Sequence, residues 1–485
     1  MTEVRLIDVS LRDGNQSLWG AVGVTTRTIE QLCPLLDQCG YEAIELLNST
    51  TMAAAVRFHR EDPWQRLELA RRLAPNTRLG FLSTGRGFVG FARTPKAVLR
   101  LAYSLLRRHG ITRMWVVDSM LDMGATIENA IMAKEEGFEE VIAGICYTSS
   151  PVHTDDYYAD KVGELDNCAS IDGIYLKDPA GLLSPERLER LLPKLTARLS
   201  RVQIDEIHTH CTIGLAPMTL LKAADLGLAK LHCALPPVAN GSSHPSALQL
   251  VRNLEVRGHL TAINRMALER ASAGLKRETT LFNLPSGAPA EYDEAYYQHT
   301  LPGGVLNTAG RQLGEMGRAE LLPAVIEEAI QVRADLGWPI AVTPFAQYIV
   351  TQASINVITG ERYGRITDEL VDLLTGEFGA MPGAVNQNLR DRALSTPRAK
   401  RARIAIEPSL DDIKAKFGLR LADEDLLLRA VMPGDQVDAM AARRQSERGS
   451  LGSLLAALDD DKGSYSLSLI TGGSTLSFAG GGPGR

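Results

Sequence analysis

From the N-terminus to about residue 270, short apolar or β-branched runs alternate with longer segments whose apolar positions recur at helical spacing. The runs at 4–9, 43–47, 78–82, 114–117, 141–146, 173–176, 204–208 and 230–233 predict eight strands. Between them, 28–39, 63–73, 95–108, 126–136, 154–165, 185–199 and 217–226 predict helices. Apolar strands separated by helices describe a parallel sheet covered on both faces. Eight such units predict an α/β fold, a (β/α)8 TIM barrel, whose chemistry belongs at the C-terminal ends of its strands. The glycine fingerprint GxGxxG that a dinucleotide-binding sheet places after its first strand is missing.

After residue 270 strands become scarce, and 292–299, 310–316, 319–336, 344–358 and 368–378 predict helices. The expected organisation is therefore a barrel at 1–270, a mostly helical domain at 271–440 and a flexible Gly/Ser-rich tail at 441–485, with a short strand at 464–470. A net charge of −6 offers no field for nucleic acid or an anionic membrane, so neither is expected as a partner. No apolar run of about 18 residues occurs and no signal peptide is read at the start, so membrane insertion is not expected and the location is read as cytoplasmic. The six cysteines (Cys33, Cys39, Cys146, Cys168, Cys211, Cys233) include no CxxC pair, which argues against disulfides and a thiolate zinc site.

Three strand ends carry candidate chemistry. The first runs into DVSLRDGNQSL, placing Arg12, Asp13 and Gln16 at the mouth; the sixth ends in YLKDPAGLL with Lys177; the seventh ends in HTHCTIG. Because side chains alternate along a strand, His208 and His210 share one side, a common metal-binding arrangement. Each feature alone has a plainer reading: an incidental HxH, an RD salt bridge, a solvated lysine. Thr343 in AVTPFAQ likewise reads as a helix N-cap before Pro344. Their coincidence at the ends of strands one, six and seven favours a metal site.

The motifs DVSLRDGNQSL, EDPW, CYTSSPVHTDDYY, YLKDPAGLL, HTHCTIG, GSSHP, LPGG, VTPFAQ and TGERY follow in this order. Together they resemble the carboxyltransferase part of pyruvate carboxylase, oxaloacetate decarboxylase α chain and transcarboxylase, over about residues 3–440. The resemblance implies a divalent Zn, Mn or Co ion bound by Asp13, His208, His210 and Lys177, the lysine carbamylated. It implies that Arg12 and Gln16 hold a small 2-oxo acid, that Thr343 shuttles a proton between enolate and biotin, and that carboxybiotin arrives on a mobile carrier. Isopropylmalate synthase and related lyases share LRDGNQ and the HxH strand, and Lys177 sets this chain apart from them.

Several positions depart from that family. Thr84 in FLSTGRGFVGF stands where the family carries a substrate-binding arginine, and a hydroxyl cannot replace a bidentate clamp. Arg86, two residues on, is expected on the same side and is the candidate substitute, so Thr84 and Arg86 complete the expected substrate contacts. Ala53 and Phe91 replace an Asp and a Tyr of the biotin pocket, Ala346 replaces a Ser, and Cys211 replaces an Asp. No Met-Lys-Met biotinylation sequence occurs, so carrier and biotin carboxylase are expected as separate subunits. The expected function is a metal-dependent carboxyltransferase or decarboxylase of a biotin-dependent system, assembled as a homo-oligomer. Two alternatives stand beside it: a biotin-independent metal lyase for another carboxylic acid, and a non-catalytic scaffold subunit.

Overall fold

The computed structural model describes residues 3–89, 93–402, 407–448, 465–471 and 474–480. Eight parallel strands, β1 (Glu3–Asp8), β2 (Ala43–Asn48), β3 (Arg78–Ser83), β4 (Arg113–Val117), β5 (Glu140–Cys146), β6 (Gly173–Asp178), β7 (Ile204–Thr209) and β8 (Lys230–Cys233), follow one another around a barrel. Arg5 to Asp8 of β1 pair with Lys230 to Cys233 of β8, while Ile7 also registers with Ala43 of β2, which closes the ring. Each strand lies within two residues of its expected run. Every residue of β2, β4 and β6 is buried, as parallel strands covered on both sides must be.

The barrel helices are α1 (Thr26–Leu36), α2 (Pro63–Leu73), α3 (Lys96–Arg108), α4 (Met123–Glu135), α5 (Asp155–Leu165), α6 (Pro185–Thr196), α7 (Ala216–Asp225) and α8 (Ala247–Val256). Their starts are set by local chemistry. Asp62 accepts the Trp64 N–H at 2.9 Å and Ser184 accepts the Arg187 N–H at 3.1 Å, each just ahead of a proline at the first helical position.

A polar column runs inside the barrel. Arg113, with no exposed surface, donates to Glu206 and, at 2.6 Å, to Glu140, and the Trp115 indole N–H also donates to Glu206. His232 Nε2 lies 2.8 Å from Glu206 Oε1. Burial alone would raise the Glu206 carboxyl, but Arg113 and the bonds from His232 and Trp115 hold it down at about 2.

A second core is built from residues between Leu301 and Ala399, together with Met120 of the barrel. Arg333 fixes it to the barrel: its guanidinium, 1% exposed, donates to Pro339 O (2.9 Å), Ser149 O (3.2 Å) and Thr148 Oγ1 (3.1 Å), the last two on the loop after β5. The helices Leu410–Phe417, Asp423–Val431 and Gly434–Arg448 belong elsewhere: Ile413, Leu426, Leu427, Leu428, Val437 and Met440 bury into the barrel's own core. The tail expected from 441 therefore begins as helix, because its first residues continue a helix packed on the barrel. Tyr465–Thr471 pairs antiparallel with Ser474–Gly480, a partner strand that the tail's small residues did not announce. All six cysteines are free and buried. Among the described residues no helix is long and apolar enough to cross a membrane.

The buried column makes a stability prediction. Glu206→Leu should destabilise the fold by about 3 kcal/mol by depriving a buried arginine of one carboxylate. In the wild type, with this carboxyl depressed, the contribution is full above the ordinary value of 4.5 and disappears as the pH falls through about 2. Acid titration followed by circular dichroism should therefore show a low-pH limb that Glu206→Leu lacks; coincident curves would refute the assignment.

Candidate active site

β1 ends at Asp8 and continues into one π-helical turn, Ser10–Gly14, followed by a short helix, Asn15–Trp19. That turn carries Arg12 and Asp13 inward, both under 4% exposed. The Asp13 Oδ2 atom is the focus of the site: Arg12 lies 2.9 Å away, His208 Nε2 3.0 Å, His244 Nε2 3.5 Å, Lys177 Nζ 3.6 Å and His210 Nε2 3.7 Å. Asp13 Oδ1 accepts from Ser17 at 2.8 Å. Burial would raise the Asp13 carboxyl, but the neighbouring Arg12 first, with Lys177, holds it well below the usual carboxylate range.

The imidazoles have defined proton positions. A carbonyl oxygen only accepts, so Nδ1 of His210 must donate to Ser242 O (2.8 Å) and Nδ1 of His244 to Thr209 O (3.0 Å). His208 Nδ1 lies 2.8 Å from Nδ1 of His232, whose Nε2 faces Glu206. With the carboxylate accepting from His232 Nε2, the contact between the two rings is satisfied by His208 donating from Nδ1 to His232 Nδ1. Each of the three rings is thus protonated at Nδ1 and presents a bare Nε2 to Asp13. Asp13, His208, His210 and His244 place their ligand atoms within 4.8 Å of one another, and all four are buried. One carboxylate and several imidazole lone pairs aimed at one point, with their far nitrogens held by backbone oxygens or an acid-backed histidine, form a donor set that fits a divalent transition metal.

Lys177, on β6, sits 2.8 Å from His208 Nε2; burial is the main cause that lowers its proton affinity, with Asp13 opposing. Arg12 is clamped between Asp13 and Glu45 (2.5 Å), and its Nε has no partner. Gln16 accepts from Asn48 at 2.8 Å.

Two adjoining cavities, about 610 and 510 Å³, open here. The inner one is lined by Arg12, Asp13, Gln16, Lys177 and His210, with Pro302 and Val342 of the helical part. The outer one is lined by Arg86, Val89, Phe345 and Phe378. Thr50, Thr84, Ser119 and Thr343 line both, so the shared wall is made of hydroxyls. Thr343 does not cap a helix: Phe345–Thr359 begins after Pro344 without a side-chain cap, and the Thr343 hydroxyl accepts from Gln347 at 3.3 Å. The LPGG segment approaches the mouth closely, since a Cβ at Gly303 would come within 3.2 Å of Thr212 and 3.3 Å of Ser242.

The structure thus brings together Arg12, Asp13, Gln16, Thr84, Lys177, His208, His210 and Thr343. Arg86 is not brought into the inner cavity: β3 ends at Ser83, Gly85 takes a left-handed φ of +75°, and the chain turns. Its guanidinium pairs instead with Asp118 (3.0 Å) and Asp122. Ala53 lies on the helix Ser49–Ala54, packed on the barrel core, Ala346 is buried in the second core and Cys211 is a buried thiol; Phe91 lies outside the described residues. His244, His232 and Glu45 went unassigned. His244 stood in the quoted GSSHP, but no spacing links it to the HxH strand.

The fold and site define a class: a (β/α)8 barrel with a buried carboxylate-imidazole cluster at its C-terminal mouth and a helical unit closing one side. A family model described as a conserved carboxylase domain matches residues 296–466. The chain is 32% identical over 451 residues to a pyruvate carboxylase subunit of Methanocaldococcus jannaschii, covering 92% of this chain and 79% of that protein. It is 30% identical over 457 residues to the 2-oxoglutarate carboxylase large subunit of Hydrogenobacter thermophilus, covering 92% and 69%. The carboxyl transferase domain of Rhizobium etli pyruvate carboxylase superposes with a TM-score of 0.81 at 24% identity, covering 91% of this chain and 77% of that one. The chain belongs to the carboxyltransferase family of pyruvate carboxylase.

Asp13 supplies the negative charge at the focus, so Asp13→Asn should abolish tight binding of a divalent ion while the barrel stays folded. Metal analysis after dialysis checks this, and a variant that keeps a stoichiometric ion would remove Asp13 from the ligand set.

Proposed function

We propose that this protein is the carboxyltransferase subunit of a biotin-dependent carboxylase, moving a carboxyl group between carrier-borne biotin and a small 2-oxo acid of the pyruvate or 2-oxoglutarate kind. The observation that carries the reading is the hydroxyl wall shared by two cavities, one at the Asp13 cluster and one beside it. Two reactants that exchange a group through an enolate need such adjoining sites with a proton carrier between them. The relatives named for carboxylation of pyruvate and 2-oxoglutarate support the substrate class.

In this reading Asp13, His208, His210 and a carbamylated Lys177 hold a zinc, manganese or cobalt ion, which supplies Lewis acidity toward the substrate's carbonyl oxygen. Burial leaves Lys177 more readily neutral, and the neutral amine is the form that adds carbon dioxide. Arg12 lines the inner cavity as the cation beside the substrate while Glu45 and Asp13 keep its plane fixed. Gln16, whose carbonyl is taken by Asn48, turns its amide N–H group to the substrate. Thr343 accepts from Gln347, which leaves its own O–H free to pass between enolate carbon and biotin. The outer cavity offers biotin an apolar wall of Val89, Phe345 and Phe378 facing the hydroxyls. Thr84, whose hydroxyl donates to Gly87 O at 3.3 Å, lines the substrate side of the shared wall, with Arg86 behind it as a structural ion pair. The reading carries with it separate biotin carrier and biotin carboxylase subunits, a cytoplasmic setting and assembly as a homo-oligomer.

A second reading, a biotin-independent lyase for another carboxylic acid, is favoured by one observation. Ala53, on the helix Ser49–Ala54, stands where the resembled family carries a biotin-pocket Asp and offers biotin no polar handle.

Oxaloacetate decarboxylation by the metal-loaded protein should be stimulated by free biotin and absent in Lys177→Ala. Turnover indifferent to biotin would transfer the assignment to the second reading. Thr343→Ala should retain its metal and lose about a hundredfold or more of the biotin-stimulated rate. An undiminished rate in that variant would end the shuttle role.

A further inference from the structure

His244 stands in the loop after β8, fully buried, and it reaches the Asp13 cluster from a different strand end than His208 and His210. Its backbone is fixed, with its carbonyl accepting from Asn240 N–H at 2.8 Å. Its ring is fixed as well. Nδ1 donates to Thr209 O, the residue between His208 and His210, and the ring lies 4.2 Å from that of His210 and 4.3 Å from that of His208.

That arrangement leaves Nε2 as a lone pair 3.5 Å from Asp13 Oδ2, and Nε2 is a buried polar atom without a hydrogen-bond partner. An acceptor facing a carboxylate oxygen inside a protein is unfavourable unless a cation lies between them. His210 Nε2 faces the same oxygen at 3.7 Å in the same way. Both rings donate from Nδ1 to backbone carbonyls, which is how metal-binding imidazoles are commonly oriented.

We infer that His244 is a metal ligand through Nε2, so that the centre is built from three imidazoles and the Asp13 carboxylate, with Lys177 an addition to that set. The inference rests on the metal-centre reading above and goes beyond it by assigning a residue from the β8 loop. It also explains how that loop is held, because Cys211 N–H donates to Ser243 O at 2.7 Å, so the loops after β7 and β8 are bonded together and keep the three rings at one point.

The test uses the full-length protein loaded with zinc. X-ray absorption at the zinc edge should show three imidazole scatterers in the wild type and two in His244→Ala and His244→Gln. Competition against a chromophoric chelator should show zinc affinity falling about a hundredfold or more in both variants. The glutamine variant retains an amide able to donate to Thr209 O, so a folded His244→Gln with unchanged scattering and affinity would overturn the assignment while leaving the metal site standing. A wild type that binds no zinc, manganese or cobalt would overturn the metal reading itself.

Discussion

The site is organised by one buried negative charge. Asp13 Oδ2 has a guanidinium, a lysine amine and three imidazoles within 3.7 Å, in a place with almost no solvent contact. The carboxylate there is held by the arginine and the lysine, while imidazole lone pairs turned to it are favourable only with a cation in their midst. The elements at the mouth are arranged to meet this requirement. The turn after β1 supplies Asp13 and Arg12, β6 supplies Lys177, β7 and its end supply His208 and His210, and the β8 loop supplies His244. Barrel closure is what makes β1 and β8 neighbours, so the fold and the charge cluster depend on the same pairing.

The rigidity of the cluster comes from beneath it. Arg113, Glu206 and His232 form a chain inside the barrel that ends on His208 Nδ1. Because Glu206 is fixed as an anion by Arg113 and Trp115, it holds the His232 proton on Nε2, and that in turn fixes the proton of His208. A hydrophobic barrel interior would pack as well, but it would leave His208 free to choose its tautomer. The same chain orients a ring whose Nε2 must be bare.

Much of this was legible in the amino-acid sequence, for physical reasons that differ by element. Parallel strands buried on both faces announce themselves as apolar runs, and all eight were found. His208 and His210 were legible because period-two geometry holds within a strand. The same rule misplaced Arg86, because β3 stops at Ser83 and Gly85 reverses the chain, so alternation no longer applied. His244 was not legible as a site residue, since only the bonds between the β7 and β8 loops bring it to the others. The helical unit was seen as helices but not as two groups, since helical spacing does not say which core an apolar face meets. The residues at 410–440 bury into the barrel core, while those at 301–399 build a core of their own.

That second core completes the site. Thr343, Val342 and Pro302 come from the segment that builds it, Val342 itself packing against the barrel core, so the inner cavity has its full lining only when the helical unit is seated on the barrel mouth. The seating is specified by Arg333, a buried cation whose bonds go to neutral oxygens, two of them on the loop after β5. Burial lowers its proton affinity to about 10, so it remains charged at neutral pH. A charged group in that position has few tolerable alternatives to the oxygens it already holds, which makes it a register pin between the two cores. Thr343 is thereby placed on the wall between the cavities by a contact made at β5, well away from Asp13 in the chain. A proton carrier that must serve two adjoining pockets needs that precision of seating, and a buried arginine supplies it more sharply than an apolar face, which can slide.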